Sequence, residues 1–545
     1  MNEIAGLFFS LRRKGVRLWL ENGILRYLDP QCVLCSEDLD ALRARKNEIV
    51  SFLERAMNSA NAEPPITRRQ SDGLVALSFQ QQWLRLSITR LNSKRQSIGI
   101  ALRFIGTLNA EFLRISIETV IRWHDSLRTR IVMVNGIPWQ YVDKPDIYIL
   151  PSVDLPGSKS NDPDKAASDA ANKLLSESPE LHVGPLFRAC LFRLGARDHV
   201  LVVALHHIVC DAVSLEVLRR QIIHCYLQLL GGRAISAPGM SVQYPDYAQW
   251  QQRTQDRWAE YHEAYWVALL RGANRLRPPR DVGIVGLQRF CRRSISIIFG
   301  DTLTAELRVF AGRERTTLAM CALATYIVLM SLWCSTLDVL IPVFVMGRHR
   351  SEIRRTIGLF SFPLFIRVQL SESDSLMDVL RRLHAKYAEA ERHADFGRLA
   401  VRGPHFRERT SAGLPPLYRR RPRNLFHWKP WRSGNESRPL IATKSSGESN
   451  DKCEILPFNL RRGDAPRFEL DVLLVFSETV KSVTGECFYR ADLFHSNTMA
   501  GFRDTFMGIL RTLLENPHCT LFELPFLIPG HLDITQSTPA REPLV

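Results

Sequence analysis

The sequence lacks several features that would assign it to common protein classes. Its eleven cysteines are scattered over 545 residues, and Cys32 and Cys35 form the one pair with CxxC spacing. A structural zinc site needs further ligands, and secreted disulfide-rich domains carry cysteine at much higher density. No Cys/His cluster completes a ligand set, so we predict no metal site. This cysteine usage favours a reducing cytoplasm.

The amino terminus also lacks a secretory signal, because Glu3 and the basic run at 12–14 bracket only a very short apolar patch. One uncharged stretch, residues 316–337, is long enough to cross a bilayer. The same stretch fits a buried helix over residues 318–333 that leads into a strand over 339–346. Its polar residues fall at the turn between them, so we predict the buried pair and no membrane span.

Acidic residues are too few to balance the basic ones, which leaves a net charge of +16. Residues 401–440 hold nine Arg and one Lys against two Glu, so this one segment supplies half of the excess. The segment is irregular and proline-rich rather than a basic face with interleaved aromatic residues. It is typical of a solvated loop, and we predict no nucleic-acid partner, although an acidic partner is an alternative.

A predicted strand and helix flank two adjacent histidines, His206 and His207. The apolar, β-branched run at 200–205 is typical of a buried strand. Residues 215–223 carry apolar side chains at helical spacing, with Ser214 as the expected N-cap.

A neutral imidazole at such a turn can accept a proton near pH 7, and Asp211 lies four residues after His207. On the pattern alone, a histidine pair at a strand end is more often structural than catalytic. A shared metal ion is a weaker alternative, because adjacent strand residues point to opposite faces.

The signature HHxxxD, followed by a small residue and serine, resembles the active-site motif of nonribosomal peptide synthetase condensation domains. These domains belong to the chloramphenicol acetyltransferase-like superfamily. Further segments that resemble the family follow in its order: Leu77-Ser78-Phe79-x-Gln81-Gln82, 122–129, 184–189, 244–251, Gly347-Arg348, 357–360 and 488–494. Phe362-Pro363 and Ala212 depart from it, since the family usually has Asn-Thr and Gly there.

The resemblance implies an α+β fold, an α/β sandwich with two acetyltransferase-like halves in a V and an active-site tunnel between them. A small αββα domain precedes them. We expect these boundaries: docking domain 1–55, linker 56–73, amino-terminal half 74–245, carboxy-terminal half 246–530 and tail 531–545.

The resemblance also implies roles for the site residues. His207, with His206 and Asp211, forms the catalytic group, and His207 takes or orients the proton of the nucleophile. We expect Arg128 to pair with Asp211, because an Arg–carboxylate pair fixes the shape of a loop.

Ser214 and Ala212 complete the turn, and the backbone N–H near Ala212 is a candidate donor to the thioester oxyanion. Alanine at 212 costs little if its φ is negative, and roughly 1–2 kcal/mol if its φ is positive.

The sequence of residues 1–55 predicts a separate unit built on a β-hairpin, because Asn22-Gly23, a common hairpin turn, separates two short apolar strands. Gly15-Val16-Arg17-Leu18-Trp19 and the segment 42–46 resemble the TubC-type docking domain. That resemblance implies capture of the tail of an upstream carrier protein by strand addition and charge. The candidate contacts are Arg17, Arg26, Arg43, Arg45 and Lys46. A solvated basic face is the alternative for each of them, and the unit is a candidate homodimer.

The implied function is acyl transfer from a carrier-bound thioester to an amine or alcohol in a peptide or hybrid polyketide–peptide assembly line. The chain itself binds no cofactor, and the phosphopantetheine arms belong to acyl- or peptidyl-carrier proteins. Two alternatives remain: a catalytically silent scaffold module, and an acyltransferase that uses a soluble thioester. We find no carrier or adenylation motif after Pro529, so the chain is either free-standing or a fragment.

Overall fold

The structure is a computed structural model, and it describes these residues: 17–21, 24–28, 42, 45–46, 48–50, 64–70, 73–91, 96–155, 162–273, 276–281, 291–348, 350–394, 423–429, 440–443, 452–458 and 470–524. The chain divides into two compact units, residues 1–66 and residues 67–545.

The first unit contains the predicted hairpin. Strands β1 (Arg17–Glu21) and β2 (Ile24–Leu28) pair antiparallel, with Glu21 opposite Ile24 on either side of Asn22-Gly23. Leu42 and Ile49 are helical residues of this unit, and both are buried.

The predicted linker is bound to the second unit before residue 73. The Arg69 guanidinium lies 2.7 Å from Asp125 and 3.3 Å from Asp246, and its side chain is 8% exposed. These contacts attach the predicted linker to the second unit at Arg69, whereas Thr67, Arg68, Gln70 and Gly73 remain exposed.

The first large sheet has six strands. They are β4 (Ser97–Gly106), β7 (Ser152–Asp154), β8 (Phe187–Gly195), β9 (Asp198–His206), β14 (Leu440–Thr443) and β15 (Lys452–Pro457). Their order in the sheet is β14-β15-β4-β9-β8-β7. Helices α2 (Ala110–Trp123) and α4 (Ala212–Leu230) supply residues such as Ile117 and Leu218 to the core on one face. Helix α3 (Pro163–Ser176) packs Ala167 and Ala171 against the other.

Strands β14 and β15 come from the carboxy-terminal half of the sequence but lie in this first sheet. Cys453 of β15 pairs with Gly106 of β4, and Cys453 and Ile455 are buried in the first core. The boundary predicted at residue 245 is therefore not a clean division between the sheets. Helix α5 (Tyr244–Leu270) also runs across that position.

The second large sheet also has six strands. They are β10 (Arg292–Ile298), β11 (Asp338–Val345), β12 (Phe362–Gln369), β13 (Asn424–Lys429), β16 (Val472–Glu478) and β17 (Val483–Arg490). Their order is β10-β17-β16-β13-β11-β12. The end of α5 contributes Trp266 and Leu270 to the core of this sheet. Four further helices also supply it: α6 (Gly300–Arg313), α7 (Leu318–Trp333), α8 (Leu376–Arg392) and α9 (Ser496–Glu515).

The apolar stretch that resembled a membrane span forms α7 and then β11, as predicted. Thr317 caps α7, because its side chain accepts a hydrogen bond from the N–H of Met320. The helix is buried on nearly every side, which explains its apolar composition. In the described part of the chain no single helix is long and apolar enough to span a membrane. Helices α6 and α7 reach that length and hydropathy only when taken as a pair, and the chain bends by 99° between them.

Three short strands and one helix form the amino-terminal part of the first half. Strands β3 (Val75–Ala76), β5 (Thr129–Val134) and β6 (Ile137–Val142) form a three-stranded sheet in the order β3-β6-β5. Helix α1 (Phe79–Leu91) follows β3. The mixed helix-and-sheet architecture is the predicted α+β fold.

Candidate active site

The two histidines lie where strand β9 passes into helix α4. His206 is the last residue of β9, a 3₁₀ turn covers His207–Val209, and α4 begins at Ala212. Asp211 is the N-cap of α4, since its Oδ1 accepts the N–H of Ser214 at 2.7 Å. The predicted N-cap, Ser214, was wrong: it is the third helical residue. The helix starts earlier because Asp211 already supplies a side-chain acceptor.

The His206 ring is buried and shapes the turn. Its Nδ1 accepts the backbone N–H of Ile208 at 3.1 Å, and 3% of the residue is exposed. Burial lowers the pKa of His206 to about 3, so the ring is neutral. The structure therefore places this predicted catalytic residue behind the turn, with its ring withdrawn from solvent.

The His207 ring is half-buried and has a fixed orientation. Its Nδ1 lies 2.7 Å from the carbonyl oxygen of Cys210. A carbonyl oxygen only accepts, so Nδ1 carries the proton and Nε2 keeps its lone pair in the neutral ring. Burial lowers the pKa of His207, although the Cys210 carbonyl and Asp211 oppose the shift. This arrangement gives a neutral imidazole with a basic nitrogen at Nε2.

Asp211 is fully buried and ties the two halves of the chain together. Its Oδ1 accepts a hydrogen bond from Arg348 at 3.1 Å, and its Oδ2 accepts the backbone N–H groups of Phe360 and Ser361 at 3.0 and 3.3 Å. Burial alone would raise the pKa of Asp211, but Arg348 and the N–H donors hold it below the usual range. No hydrogen bond joins Asp211 to either histidine within the described residues. Asp211 is thus placed to hold the loop rather than to contact a substrate.

The predicted pairing of Arg128 with Asp211 was wrong. Arg128 Nη2 lies 2.7 Å from Asp125, and its other donors bind the carbonyl oxygens of Ile121 and Asp143. Arg128 ends a 3₁₀ turn over Asp125–Arg128. The groups that accept hydrogen bonds from its guanidinium all belong to the amino-terminal half. The arginine that pairs with Asp211 is Arg348. Sequence analysis identified the Gly347-Arg348 motif, but the spacing along the chain does not show that Arg348 contacts Asp211.

Ser214 and Ala212 have different surroundings. The Ser214 hydroxyl donates to the carbonyl of Gly358 at 2.7 Å and accepts from Arg348 at 2.6 Å. Ala212 is exposed and begins α4 without a positive φ, so alanine at this position causes no backbone strain. As a first-turn amide, its N–H has no acceptor within the helix.

The segment 357–361 of the second half is bound from several sides. The Tyr244 hydroxyl donates to the Leu359 carbonyl at 2.6 Å, and Ser126 donates to the Ile357 carbonyl. A Cβ added at Gly358 would lie 1.9 Å from the Tyr244 ring, so only glycine fits there. These contacts bring together three motifs that are far apart in sequence, 122–129, 244–251 and 357–360.

Sequence analysis missed a second group that supports the histidine turn. The buried Gln81 amide donates to the Ile208 carbonyl at 3.2 Å and to Gln140 at 3.1 Å. Gln140 in turn donates to the Ala76 carbonyl at 3.0 Å. Gln81 belongs to the opening motif that the sequence analysis identified. Its hydrogen-bond partners, Ile208 and Gln140, are distant in sequence and could not be predicted from one sequence.

The predicted docking residues are only partly described. Arg17 and Arg26 lie in β1 and β2, with Arg26 opposite Trp19. Arg45 is half-buried and Lys46 is exposed, whereas Arg43 lies outside the described residues. No three His, Cys, Asp or Glu side chains are grouped as a metal site in the part of the chain that the structure describes.

Comparison with known proteins agrees with this geometry. The condensation-domain profile matches residues 71–411, and the TubC N-terminal docking domain profile matches residues 4–55. The chain is 29% identical over 471 residues to a linear gramicidin synthase of Brevibacillus parabrevis, a match that covers 85% of this chain and 9% of that protein. It is 27% identical over 506 residues to phosphinothricin tripeptide synthetase PhsC of Streptomyces viridochromogenes, a match that covers 89% of this chain and 44% of PhsC. The chain therefore spans less than half the length of these relatives.

Solved structures support the same fold. The X-domain in complex with OxyB from teicoplanin biosynthesis has a TM-score of 0.68 at 20% identity, over 85% of this chain and 98% of the other. The first condensation domain of the calcium-dependent antibiotic synthetase, in complex with a substrate analogue, has a TM-score of 0.61 at 19% identity, over 83% and 99%. The chain belongs to the condensation-domain family of acyltransferases found in nonribosomal peptide synthetases, and it carries a TubC-type docking domain at residues 4–55.

Proposed function

We propose that this chain transfers an acyl group from a carrier-bound thioester to an amine or an alcohol, with His207 as the residue that handles the proton. The observation that carries this role is the bond between His207 Nδ1 and the Cys210 carbonyl. It leaves Nε2 as the basic nitrogen, and the lowered pKa keeps the ring neutral.

The chemistry follows from that nitrogen. The nucleophile attacks the thioester carbonyl, a C–N or C–O bond forms, and the C–S bond breaks. The proton of the nucleophile passes to His207 Nε2, or is oriented by it, and finally reaches the thiolate of the phosphopantetheine arm. Positioning of two bound substrates contributes up to roughly 7–11 kcal/mol, so the base need not supply the whole rate enhancement.

The Ala212 amide is the proposed donor to the oxyanion that develops on the thioester oxygen. It lies at the start of α4, where the helix dipole and first-turn N–H groups favour negative charge. Asp211 and Arg348 have a positioning role, because their contacts hold α4 against the segment 357–361.

The test is product formation from a panel of carriers loaded with different acyl groups, incubated with candidate amines and alcohols and analysed by mass spectrometry. We expect His207→Ala to reduce turnover by about 10²–10⁴-fold while carrier binding is retained. His182→Ala is the control, because His182 is 67% exposed and pairs only with surface Glu180 in the described structure.

Two outcomes would contradict the proposal. Undiminished turnover in His207→Ala would remove His207 from the mechanism. A wild-type chain that binds loaded carriers but makes no product from any of them would favour the scaffold function instead.

We also propose that residues 1–55 bind the acidic tail of an upstream carrier protein. The exposed Lys46 offers charge complementarity to such a tail, and the β1–β2 hairpin offers strand edges for an added strand. Carboxy-terminal peptides of neighbouring carrier proteins, titrated against the full chain, provide the test. Lys46→Glu should weaken binding and reduce its salt dependence, whereas Lys165→Glu on the exposed surface of α3 should change neither. Equal affinities in both variants would overturn this assignment.

A further inference from the structure

Gln81 of α1 binds the backbone of the histidine turn, His207–Val209. Its side-chain Nε2 donates to the carbonyl oxygen of Ile208 at 3.2 Å. Ile208 is the middle residue of this 3₁₀ turn and is fully buried. Because a buried carbonyl oxygen without a donor is costly, this bond fixes the orientation of the peptide group between Ile208 and Val209.

The Gln81 amide is itself held in one orientation. Its Nε2 also donates to Gln140 at 3.1 Å, and its Oε1 accepts the backbone N–H of Ser78 at 3.0 Å. The whole residue is 0% exposed. An amide that uses its donors and its acceptor in this way cannot turn over without breaking all of these bonds. Nε2 of Gln81 therefore stays directed at Ile208.

The orientation of the Ile208–Val209 peptide group matters for His207. The ring Nδ1 of His207 donates to the carbonyl oxygen of Cys210 at 2.7 Å, and the Cys210 N–H donates to the His207 carbonyl at 3.3 Å. The Ile208–Val209 peptide lies between these two residues, so its rotation would move the Cys210 carbonyl away from the ring. The bond to Cys210 keeps the proton on Nδ1 and leaves the lone pair on Nε2.

We propose that Gln81 is a positioning residue for acyl transfer: by holding the Ile208 carbonyl, it keeps His207 in the Nδ1–H tautomer with Nε2 as the base. This inference rests on the proposed role of His207. Because Gln81 is fully buried, its side chain is out of reach of a substrate. Its removal should therefore lower kcat rather than raise KM.

Gln251 of α5 provides a matched control. It is also buried, and its Nε2 donates to the Tyr247 hydroxyl at 2.8 Å and to Gln80 at 3.2 Å. Its Oε1 accepts the backbone N–H of Phe79 at 3.2 Å. Gln251 thus forms the same kinds of bond as Gln81 beside the same end of α1, but none of these partners belongs to the histidine turn.

The experiment compares Gln81→Met with Gln251→Met in the full chain, using a loaded carrier and an amine that the wild type accepts. Each variant removes a buried amide with equivalent hydrogen bonds, so both should lower the midpoint of thermal denaturation by similar amounts. Gln81→Met should reduce kcat by about 10–100-fold and change KM by less than about threefold, because a small displacement of the base affects the reaction more than binding. Gln251→Met should keep kcat within about threefold of the wild type.

A spectroscopic measurement reports the His207 tautomer without turnover. In the full chain with ¹³C-labelled histidine, the Cδ2 resonance of His207 is assigned by its loss in His207→Ala. The shift of this carbon distinguishes the Nδ1–H form from the Nε2–H form. Wild type and Gln251→Met should show the Nδ1–H form, whereas the resonance in Gln81→Met should move toward the Nε2–H form.

A second substitution covers the case in which Gln81→Met does not fold. Gln81→Asn retains an amide but is shorter by a methylene group, so it falls short of the Ile208 carbonyl and should show the same loss of kcat. Equal kcat values in the Gln81 and Gln251 variants, or a His207 resonance unchanged by the Gln81 substitution, would overturn the positioning role. If the wild type makes no product, the proposed reaction is rejected, and the resonance comparison alone decides the role of Gln81.

Discussion

The Nη2 atom of Arg348 lies 3.1 Å from Oδ1 of Asp211, and this ion pair joins the end of β11 to the start of α4. The two side chains are 5% and 0% exposed. Because the pair is buried and surrounded by further hydrogen bonds, removing one charge leaves the other without compensation. The pair therefore connects the histidine turn to the second half of the domain.

Substitution of Arg348 should strongly destabilise the domain. We expect Arg348→Met to lower the free energy of unfolding by about 3–5 kcal/mol, because Asp211 then remains buried as an unpaired charge. Arg122→Met is the control, since Arg122 pairs with Glu118 on the surface of α2 and such pairs contribute about 0–1 kcal/mol. Urea denaturation followed by circular dichroism measures both. Comparable losses in the two variants would contradict a structural role for the buried pair.

The pH dependence of activity should report the environment of His207. Burial lowers its pKa from the ordinary value of 6.5, and the base is active only when unprotonated. The acid limb of the kcat/KM profile should therefore lie below pH 6.5, with the rate falling as pH decreases through the lowered pKa. A profile from about pH 4.5 to 9 measures this. The residual activity of His207→Ala should lack that limb, and an acid limb above 6.5 would contradict a buried neutral imidazole.

Much of the local structure of both units followed from the sequence. The apolar run before His206 predicted β9, Asn22-Gly23 predicted the hairpin, and the uncharged stretch predicted α7 and β11. Each of these rests on a periodicity or a turn signal within a short window, which is where sequence patterns are most informative.

The errors concern choices between residues of similar chemistry. Ser214 and Asp211 are both good N-caps, and Asp211 caps α4 because it lies closer to the end of β9. Arg128 and Arg348 both occur in motifs, but among the described residues it is Arg348, three residues after β11, that pairs with Asp211. Long-range pairing of this kind depends on strand order, which one sequence does not encode in its spacing. The same limit applies to β14 and β15, whose place in the first sheet no local pattern predicts.

Gly358 should not tolerate a side chain. A Cβ there would overlap the Tyr244 ring, and Tyr244 is itself held by Ser78 and Leu359 through its hydroxyl. We expect Gly358→Ala to lower the free energy of unfolding by about 1–3 kcal/mol or more. In the double variant Gly358→Ala with Tyr244→Ala, the loss should be smaller than the sum of the single losses, because removing the ring makes room for the methyl group. Chemical denaturation of all four proteins measures the coupling, and additive losses would refute the packing argument.

Ala212 should be preferred to the glycine that is common in the family. Ala212 begins α4 with ordinary backbone geometry, so glycine would relieve no strain and would increase the conformational entropy of the unfolded chain. We expect Ala212→Gly to lower the free energy of unfolding by up to about 1 kcal/mol and to leave kcat unchanged within about twofold, because the backbone N–H is retained. Thermal denaturation and turnover with the same carrier panel measure both quantities. A rise in kcat of tenfold or more would mean that the oxyanion donor needs a backbone conformation that alanine does not adopt.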